Sequence, residues 1–513
     1  MKYKINYNDR QTKINKDIYG HFSEHIGRCI YDGIWVGKDS SIPNINGVRE
    51  DIINALRKIR VPVLRWPGGC YADMYHWMDG IGKPEERKRR VNKIWGGVVE
   101  DNSFGTHEFM DMCEEIGCEA YLSGNLGSGT IQEMSDWVDY ITDPTDSEMA
   151  NLRRKNGRDK PWKIGYFGIG NECWGCGGQM RPEYYADQYR QAAQYIRVNG
   201  ERDMANMFDK GVKVVASGPD GKDTEWTDVV INSLTKSPFA LNLPMDVFMT
   251  DGMSMHYYVF GGENFVNNKP AYDFDDSGWY RVMQGAAYME NMIQVHDEVM
   301  DKYDPNKGIG LMVDEWGGWH AAEPGTHPMM LFQQNTMRDA VLAGITLNIF
   351  NKRSDRVKLA TIAQMINVLQ SVILTEGEKM LLTPTYHIFD MYKDHQNAIL
   401  LGSEIENRII GKDDFQVNQL FESSSVQEDG SVLSTICNTS IDTSETIKLE
   451  LAGTSIAGVT GQILCDDPHA YNTFDEPDTV SIRQFDVKND SNTIEFELPA
   501  ASVVSLKIEV CNG

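Results

Sequence analysis

The sequence predicts a (β/α)₈ TIM barrel followed by an antiparallel β-sandwich of the jelly-roll type. Two observations lead to this prediction. The first two thirds of the chain alternate short apolar strand-like runs with helical patterns, and after about residue 386 apolar and polar residues alternate with a period of two. We therefore assign residues 15–385 to the barrel and residues 386–513 to the sandwich. Residues 1–14 also have a strand pattern, and we expect them to join the sandwich because chain termini often lie close together.

Eight apolar runs have the length and composition of barrel strands. They are Ile18–Glu24, Val61–Trp66, Glu119–Asn125, Tyr166–Glu172, Lys213–Ser217, Met253–Tyr258, Gly310–Glu315 and Thr346–Asn351. Strands that alternate with helices form a parallel sheet with helical crossovers, and eight such units close into a barrel. An open, doubly wound sheet is the alternative, but the chain has no Gly-rich phosphate-binding turn to support it.

The composition limits the partners of the chain. Its 513 residues include 49 Lys and Arg against 75 Asp and Glu, so a net charge of −26 should repel nucleic acid and anionic membranes. No apolar stretch approaches the ~20 residues that span a bilayer. The first residues, MKYKINYNDR, lack the apolar core of a signal peptide, and we expect a cytoplasmic protein. Nine cysteines, odd in number and scattered, are typical of free thiols in a reducing compartment.

Two glutamates stand at the carboxyl ends of predicted strands four and seven. Glu172 ends the run GIGNE, and Glu315 lies in MVDEWG. The carboxyl ends of barrel strands meet on one face, where barrel enzymes have their active sites. Two carboxylates across that face can cleave a glycosidic bond, one by protonating the leaving oxygen and the other by attacking the anomeric carbon or activating water. The alternative is a pair of surface or ion-paired glutamates, which are common in an acidic chain.

Neighbouring residues support the catalytic interpretation. His256 and Tyr258 alternate along a strand, so both face the same side, where Tyr258 can donate to Glu315 and His256 to Glu172. The CxxC sequence from Cys173 to Cys176 has no second pair, so a redox or zinc site is a weaker interpretation than a Gly-rich loop beside Glu172. The chain has no P-loop and no G-x-S-x-G motif, and we expect neither a cofactor nor a metal.

Several motifs together resemble glycoside hydrolase family 51. They are RWPGG at 65–69, GIGNE at 168–172, HYY at 256–258 and VDEWG at 313–317, and the similarity follows the same order over about residues 15–395. Typical members of that family are intracellular, retaining α-L-arabinofuranosidases. The resemblance therefore implies a barrel enzyme that acts on arabinose-containing sugars.

The resemblance also implies a role for each matching residue. Glu172 matches the acid/base and Glu315 the nucleophile, and Arg65 matches an arginine beneath the nucleophile. Residues that match positions holding the furanose ring or orienting the carboxylates are Glu24, Asn171, His256, Tyr258 and Gln364. Cys70 matches a position that contacts the sugar, and Trp95 matches an aromatic residue at the entrance.

The implied activity is exo-acting release of terminal arabinofuranose, with retention, from arabinose-containing oligosaccharides such as arabinan or arabinoxylan fragments. The resemblance further implies a homo-oligomer, since members of the family are often hexamers. Two alternatives stay open on the sequence: a related barrel glycosidase of other specificity, such as a β-xylosidase or an endo-glucanase, and a non-catalytic carbohydrate-binding protein.

Overall fold

The computed structural model describes residues 1–196, 211–236 and 249–511, and eight parallel strands in it close into a barrel. After the N-terminal strand β1 (Lys2–Lys13), the barrel strands in chain order are β2 (Gly20–Phe22), β3 (Val63–Trp66), β4 (Glu119–Gly124), β5 (Tyr166–Ile169), β6 (Lys213–Ala216), β7 (Gly252–Phe260), β8 (Gly310–Trp319) and β9 (Val357–Ile362). Each barrel strand pairs with the next in the chain, and β9 pairs with β2 to close the ring. This is the predicted barrel.

Helices surround the barrel between its strands. They are α1 (Glu50–Lys58), α2 (Thr106–Ile116), α3 (Ile131–Thr142), α4 (Glu148–Lys155), α5 (Pro182–Ile196), α6 (Thr224–Thr235), α7 (Asp276–Ala287), α8 (Met289–Met300), α9 (Met337–Lys352) and α10 (Pro384–Tyr392). Their ends follow local chemistry: the Thr130 side chain caps the first turn of α3, and α2 is followed by Gly117, whose φ of 85° suits glycine. None of the helices in the described ranges is both long and apolar enough to cross a bilayer.

Most of the carboxy-terminal strands form one hydrogen-bonded sheet with β1, and Ile409–Lys412 and Phe415–Asn418 form a separate hairpin. The strands that join β1 in the sheet are β10 (Ile399–Ile405), β11 (Leu420–Val426), β12 (Val432–Asn438), β13 (Glu445–Ala452), β14 (Ile456–Cys465), β15 (Arg483–Phe485), β16 (Lys488–Asn489), β17 (Thr493–Leu498) and β18 (Ser502–Val510). The spatial order is β15-β14-β18-β12-β11-β10-β1-β13-β17-β16. All neighbours are antiparallel except β1 and β13, which run parallel. The N-terminal strand therefore lies inside this sheet.

The period-two pattern of the sequence places apolar residues inside the folded sheet. In β13 the buried residues are Ile447, Leu449 and Leu451, with exposed residues between them. They belong to one core with Ile436 of β12 and Leu506 of β18, although these strands are distant in the order of the sheet. The sheet therefore curls until its two halves face each other, which gives the two-layer packing expected of a sandwich.

One predicted strand is wrong. Thr346–Asn351 is the last part of helix α9, and the eighth barrel strand is β9, further along the chain. All residues of α9 from Met337 to Asn351 are buried, because the helix lies between the barrel and the carboxy-terminal sheet. A helix buried on every side has no apolar stripe, and a short apolar run within it has the same pattern as a buried strand.

Candidate active site

The barrel brings both predicted glutamates to its mouth. Glu315 lies within β8, the seventh barrel strand, and Glu172 follows β5, the fourth, by three residues. Glu172 has a φ of 42°, in the left-handed region that residues with a side chain seldom adopt. Backbone strain of this kind persists where the surrounding structure holds it, and it is concentrated at functional sites.

Glu315 is held by two donors and is almost completely buried. Arg65 Nη1 donates to Oε1 over 2.8 Å, and Tyr258 OH donates to Oε2 over 2.8 Å. Burial alone would lower the pKa of Arg65, but the charges of Asp314 and Glu315 raise it, so the guanidinium stays charged. A carboxylate that accepts charge-assisted and hydroxyl hydrogen bonds from two sides is held in one orientation.

Glu172 has different neighbours and is less buried than Glu315. His256 Nδ1 lies 2.8 Å from Oε1. On the other side, the sulfur atoms of Cys70 and Cys176 lie 3.7 and 3.4 Å from Oε2. One carboxylate oxygen thus faces an imidazole and the other faces sulfur, and 20% of the side chain is exposed, which leaves a path for a leaving group or water.

His256 lies between the two glutamates. Its Nδ1 is 3.5 Å from Glu315 Oε2, and its Nε2 is 3.2 Å from Asp314 Oδ1. Burial would lower the pKa of His256, but Glu315, Asp314 and Glu172 together raise it to about 10. The imidazole is therefore a cation at neutral pH. One carboxylate oxygen of Glu172, one of Glu315 and a ring nitrogen of His256 all lie within 4.8 Å of one another. The two carboxylates are therefore close enough to act on one sugar ring.

The raised pKa of His256 makes the stability of the fold depend on pH. The folded-state pKa exceeds the ordinary value of 6.5, so the stabilisation is complete below pH 6.5 and is lost as the pH rises towards 10. We expect His256→Gln to lower the free energy of unfolding by on the order of a few kcal/mol at pH 6. The deficit should shrink as the pH approaches 10. Urea unfolding of both proteins across this range measures it.

The exposed His327 provides the matched control, since His327→Gln removes an imidazole that faces no carboxylate cluster. Its unfolding curves should follow the wild type at every pH. If the deficit of His256→Gln were the same at pH 6 and pH 10, the imidazole would not be a cation in the folded protein.

A second group of predicted residues meets around Glu24, which is buried. Its Oε1 accepts hydrogen bonds from the backbone N–H groups of Gly69 and Tyr71 and from Trp95 Nε1, and Gln364 Nε2 donates to Oε2. Burial and the charge of Glu315 raise the pKa of Glu24 to about 7. Within the described residues Gln364 Oε1 is buried without a hydrogen-bond partner, so it can accept from a bound hydroxyl.

The two glycines after Pro67 allow this close packing. A Cβ on Gly69 would lie 2.5 Å from Glu315 Oε1, and a Cβ on Gly68 would lie 2.7 Å from Glu24 Cγ. Any larger residue at either position would displace a carboxylate of the site. The loop after β3 can therefore pass directly beneath the site only because both residues lack a side chain.

The expectation of free thiols is wrong for two of the nine cysteines. Cys70 and Cys176 form a disulfide, with Cα atoms 5.5 Å apart, while Cys173 of the CxxC sequence is a buried free thiol. The two bonded residues are 106 positions apart, and they meet because the barrel brings the loops after β3 and β5 together. Sequence spacing gives no sign of such a pair. A sugar contact of Cys70 stays a prediction.

Two acidic residues of the site, Asp314 and Asp73, were not among the predicted site residues. Asp314 precedes Glu315, and the nearby charges of Arg65 and His256 lower its pKa against the effect of burial. Its position in the DEW motif was a signal for it. Asp73 has no such signal, because it lies in a short turn (Ala72–Met74) and its partners come from two other loops.

Asp73 joins three loops beneath Glu172. Its Oδ2 accepts from the backbone N–H of Asn171 over 2.9 Å, and its Oδ1 accepts from Leu126 N over 2.9 Å and Gly127 N over 2.7 Å. Burial raises its pKa to about 7 despite these donors. The carboxyl group therefore fixes the backbone next to Glu172 without touching the mouth of the barrel.

We expect Asp73→Asn to lower kcat by about 10- to 100-fold with little change in KM, because a shift of the loop by about 1 Å misplaces Glu172. Asp79→Asn is the matched control. Asp79 is an equally buried carboxylate of the same loop, but it pairs with Lys88 and Arg90 rather than with the backbone of the site. Steady-state kinetics well below the melting temperature of each variant test this, and equal kcat values for the two variants would refute a positioning role.

A closed barrel with two carboxylates at the ends of its fourth and seventh strands is the arrangement of a glycoside hydrolase. Comparisons with known proteins support this class. A family model described as the α-L-arabinofuranosidase 1 domain matches residues 55–276, and one described as the α-L-arabinofuranosidase C-terminal domain matches residues 314–502. The chain belongs to the α-L-arabinofuranosidases of glycoside hydrolase family 51.

Individual relatives cover from about three quarters to nearly all of the chain. An intracellular exo-α-L-arabinofuranosidase of Bacteroides ovatus is 46% identical over 97% of this chain and 93% of that protein. α-L-Arabinofuranosidase C of Emericella nidulans is 32% identical over 72% of this chain and 69% of its own. Among solved structures, the GH51 arabinofuranosidase of Xanthomonas axonopodis pv. citri is 40% identical, covers 99% of both chains and has a TM-score of 0.93. The arabinose complex of the Thermotoga maritima enzyme is 27% identical over 99% of both chains, with a TM-score of 0.84.

Proposed function

We propose that the chain is a retaining, exo-acting α-L-arabinofuranosidase in which Glu315 is the nucleophile and Glu172 the acid/base. The observation that carries the proposal is the approach of the two carboxylates: one oxygen atom of Glu172 and one of Glu315 lie within 4.8 Å of each other. Retaining glycosidases hold their carboxyl groups about 5–5.5 Å apart, whereas inverting enzymes separate them by about 6.5–9.5 Å to admit a water molecule. The short separation supports direct attack by a carboxylate.

The surroundings support the assignment of the two roles. Glu315 accepts from Arg65 and Tyr258, so its two oxygen atoms are held in a fixed orientation for attack. The charges of Asp314 and Glu315 balance the two cations, Arg65 and His256. Glu172 contacts His256 and is partly exposed, so it can exchange a proton with a leaving oxygen and with water, as the acid/base role requires.

The first step forms an arabinosyl-enzyme. A Glu315 oxygen attacks the anomeric carbon while the bond to the leaving oxygen breaks, and Glu172 gives its proton to that oxygen. Glu172 is then a carboxylate. His256, a cation 2.8 Å away, stabilises the new charge.

The second step releases the sugar. Glu172 takes a proton from a water molecule, whose oxygen attacks the anomeric carbon on the face that the leaving group has vacated, and the bond to Glu315 breaks. Two displacements at the same carbon restore the original configuration. The proton returned to Glu172 resets it as an acid for the next substrate.

The remaining predicted residues are suited to hold the furanose ring. The Asn171 carbonyl oxygen accepts from Arg65 Nη2 over 2.6 Å, which turns its amide nitrogen towards the Glu172 loop, where it can donate to a sugar hydroxyl. Glu24 and the buried Oε1 of Gln364 are acceptors for other hydroxyls. Trp95 donates from Nε1 to Glu24, and its half-buried aromatic ring is suited to pack against a sugar. Hydrogen bonds of this kind aid the reaction where they strengthen in the transition state.

The relatives support the finer description of the substrate and the location. The Bacteroides ovatus protein is named as intracellular and exo-acting, which supports release of terminal residues from short arabinose-containing oligosaccharides in the cytoplasm. Arabinan and arabinoxylan fragments are both candidate substrates. We also propose a homo-oligomer, a hexamer as in other members of the family, and analytical ultracentrifugation measures the number of subunits directly.

A panel of nitrophenyl glycosides, with product stereochemistry read by NMR, tests the activity. We expect the α-L-arabinofuranoside to be cleaved, with the first arabinose released in the same anomeric configuration as the substrate. Preferential cleavage of the β-xyloside, or of an internal glucan linkage, would favour the other glycosidases. Binding of the arabinofuranoside without turnover would favour a carbohydrate-binding protein, and release with inversion would exclude a covalent intermediate.

A further inference from the structure

We propose that reduction of the Cys70–Cys176 disulfide opens a site for one thiophilic divalent cation of the zinc class, held by both sulfur atoms and Glu172. The cation would switch the enzyme off by occupying its acid/base. The loss of activity rests on the proposed role of Glu172, whereas binding of the metal does not.

The three ligands are already assembled around one point. The sulfur atoms of Cys70 and Cys176 and a carboxylate oxygen of Glu172 all lie within 4.8 Å of one another. Neither cysteine is buried, so a reductant and a metal ion can reach the pair. The sulfurs approach Oε2, while His256 contacts Oε1, so a cation on the sulfur side would leave the imidazole in place.

Reduction and metal binding balance as two separate steps. A dithiol or a phosphine supplies two electrons that cleave the S–S bond, and two protons convert the sulfurs to thiols. Binding of the cation then releases both protons, because thiolates are the ligands. Two thiolates and a carboxylate, with water in the fourth position, are a ligand set that Zn²⁺ accepts in tetrahedral geometry.

The sulfur pair is well placed to control catalysis. A Glu172 carboxylate that coordinates a cation can neither carry a proton to a leaving oxygen nor remove one from water. Disulfides in cytosolic proteins are usually transient and linked to redox chemistry, and cysteines of cytosolic enzymes often bind metals. In the proposed cytoplasmic location, the redox state of this pair and the supply of free zinc would together set the activity.

Cadmium tests the site through the absorption of its bonds to thiolate. The full-length protein is prepared oxidised and, after treatment with a phosphine that is then removed without oxygen, reduced. The other seven cysteines are free in both forms, so the difference in absorption with Cd²⁺ reports on Cys70 and Cys176. We expect a gain equivalent to about two thiolates per chain on reduction. One equivalent of Zn²⁺ should then lower the activity of the reduced form by about 10²-fold or more, leave the oxidised form active, and be reversed by a chelator.

Three variants make the test specific. Cys176→Ser and, independently, Cys70→Ser should lose the gain in absorption, whereas Cys173→Ser, which changes the neighbouring buried thiol, should keep it. No gain in the reduced wild type, or the same gain in both bridge variants, would overturn the proposal. An oxidised enzyme without activity on arabinofuranosides would instead refute the proposed function, and the cadmium measurement would still decide the metal site.

Discussion

Glu315→Gln is expected to lower kcat by about 10⁴-fold or more, close to the limit of detection. The variant keeps the size of the side chain but loses the anion that attacks the anomeric carbon, so no arabinosyl-enzyme forms. Arg65 retains Asp314 and Asn171 as partners, and the fold should survive the change. Kinetics with the nitrophenyl α-L-arabinofuranoside, together with circular dichroism and thermal melting, separate lost chemistry from lost structure.

Glu263→Gln is the control for this variant, because Glu263 is an exposed glutamate on the loop that follows β7. Its kcat should equal that of the wild type. In Glu315→Ala, azide fits the space of the missing carboxylate, attacks the anomeric carbon directly and should give an arabinofuranosyl azide of inverted configuration. Turnover near the wild-type rate in Glu315→Gln would show that another group is the nucleophile.

Seven of the eight barrel strands were predictable because each is a short apolar run that ends in polar residues. Val61–Trp66 and Gly310–Glu315, for example, overlap β3 and β8. The eighth was not, because helix α9 is covered on one side by the barrel and on the other by the carboxy-terminal sheet. Asn348 and Asn351 of that helix accept from or donate to Ser423 in β11, so even its polar residues are buried. Contacts between the barrel and the carboxy-terminal sheet bury this helix on every side, and the local sequence pattern carries no information about such contacts.

The site also contains residues that local sequence pattern predicts and residues that depend on distant contacts. The two glutamates, Arg65, His256 and Tyr258 lie on or directly after barrel strands, and barrel geometry alone brings such positions together. The alternation of His256 and Tyr258 predicted that both side chains face the same side, and in the structure His256 contacts Glu172 and Tyr258 contacts Glu315. The disulfide and Asp73 depend on how loops of different strands pack on one another. Because loop conformation is not periodic, no spacing in the sequence predicts these contacts.

Glu172→Ala is expected to slow hydrolysis of arabino-oligosaccharides by about 10³-fold, since a sugar alkoxide leaves poorly without a proton. A dinitrophenolate needs little assistance, so the first step with an aryl substrate of that kind should be almost unchanged. The second step should become rate-limiting, because no base activates water. A burst of the aryl alcohol followed by slow turnover is therefore the expected time course.

Azide distinguishes the two roles, because it is an anion that needs no base. In Glu172→Ala it should attack the arabinosyl-enzyme, restore much of the turnover on the aryl substrate and give an azide of retained configuration. The same reagent gives inversion in Glu315→Ala, so the pair of variants assigns nucleophile and acid/base from product stereochemistry alone. Equal losses on aryl and oligosaccharide substrates, with no rescue by azide, would mean that Glu172 is not the proton donor. His256, the cation next to it, would then be the group to examine as the acid.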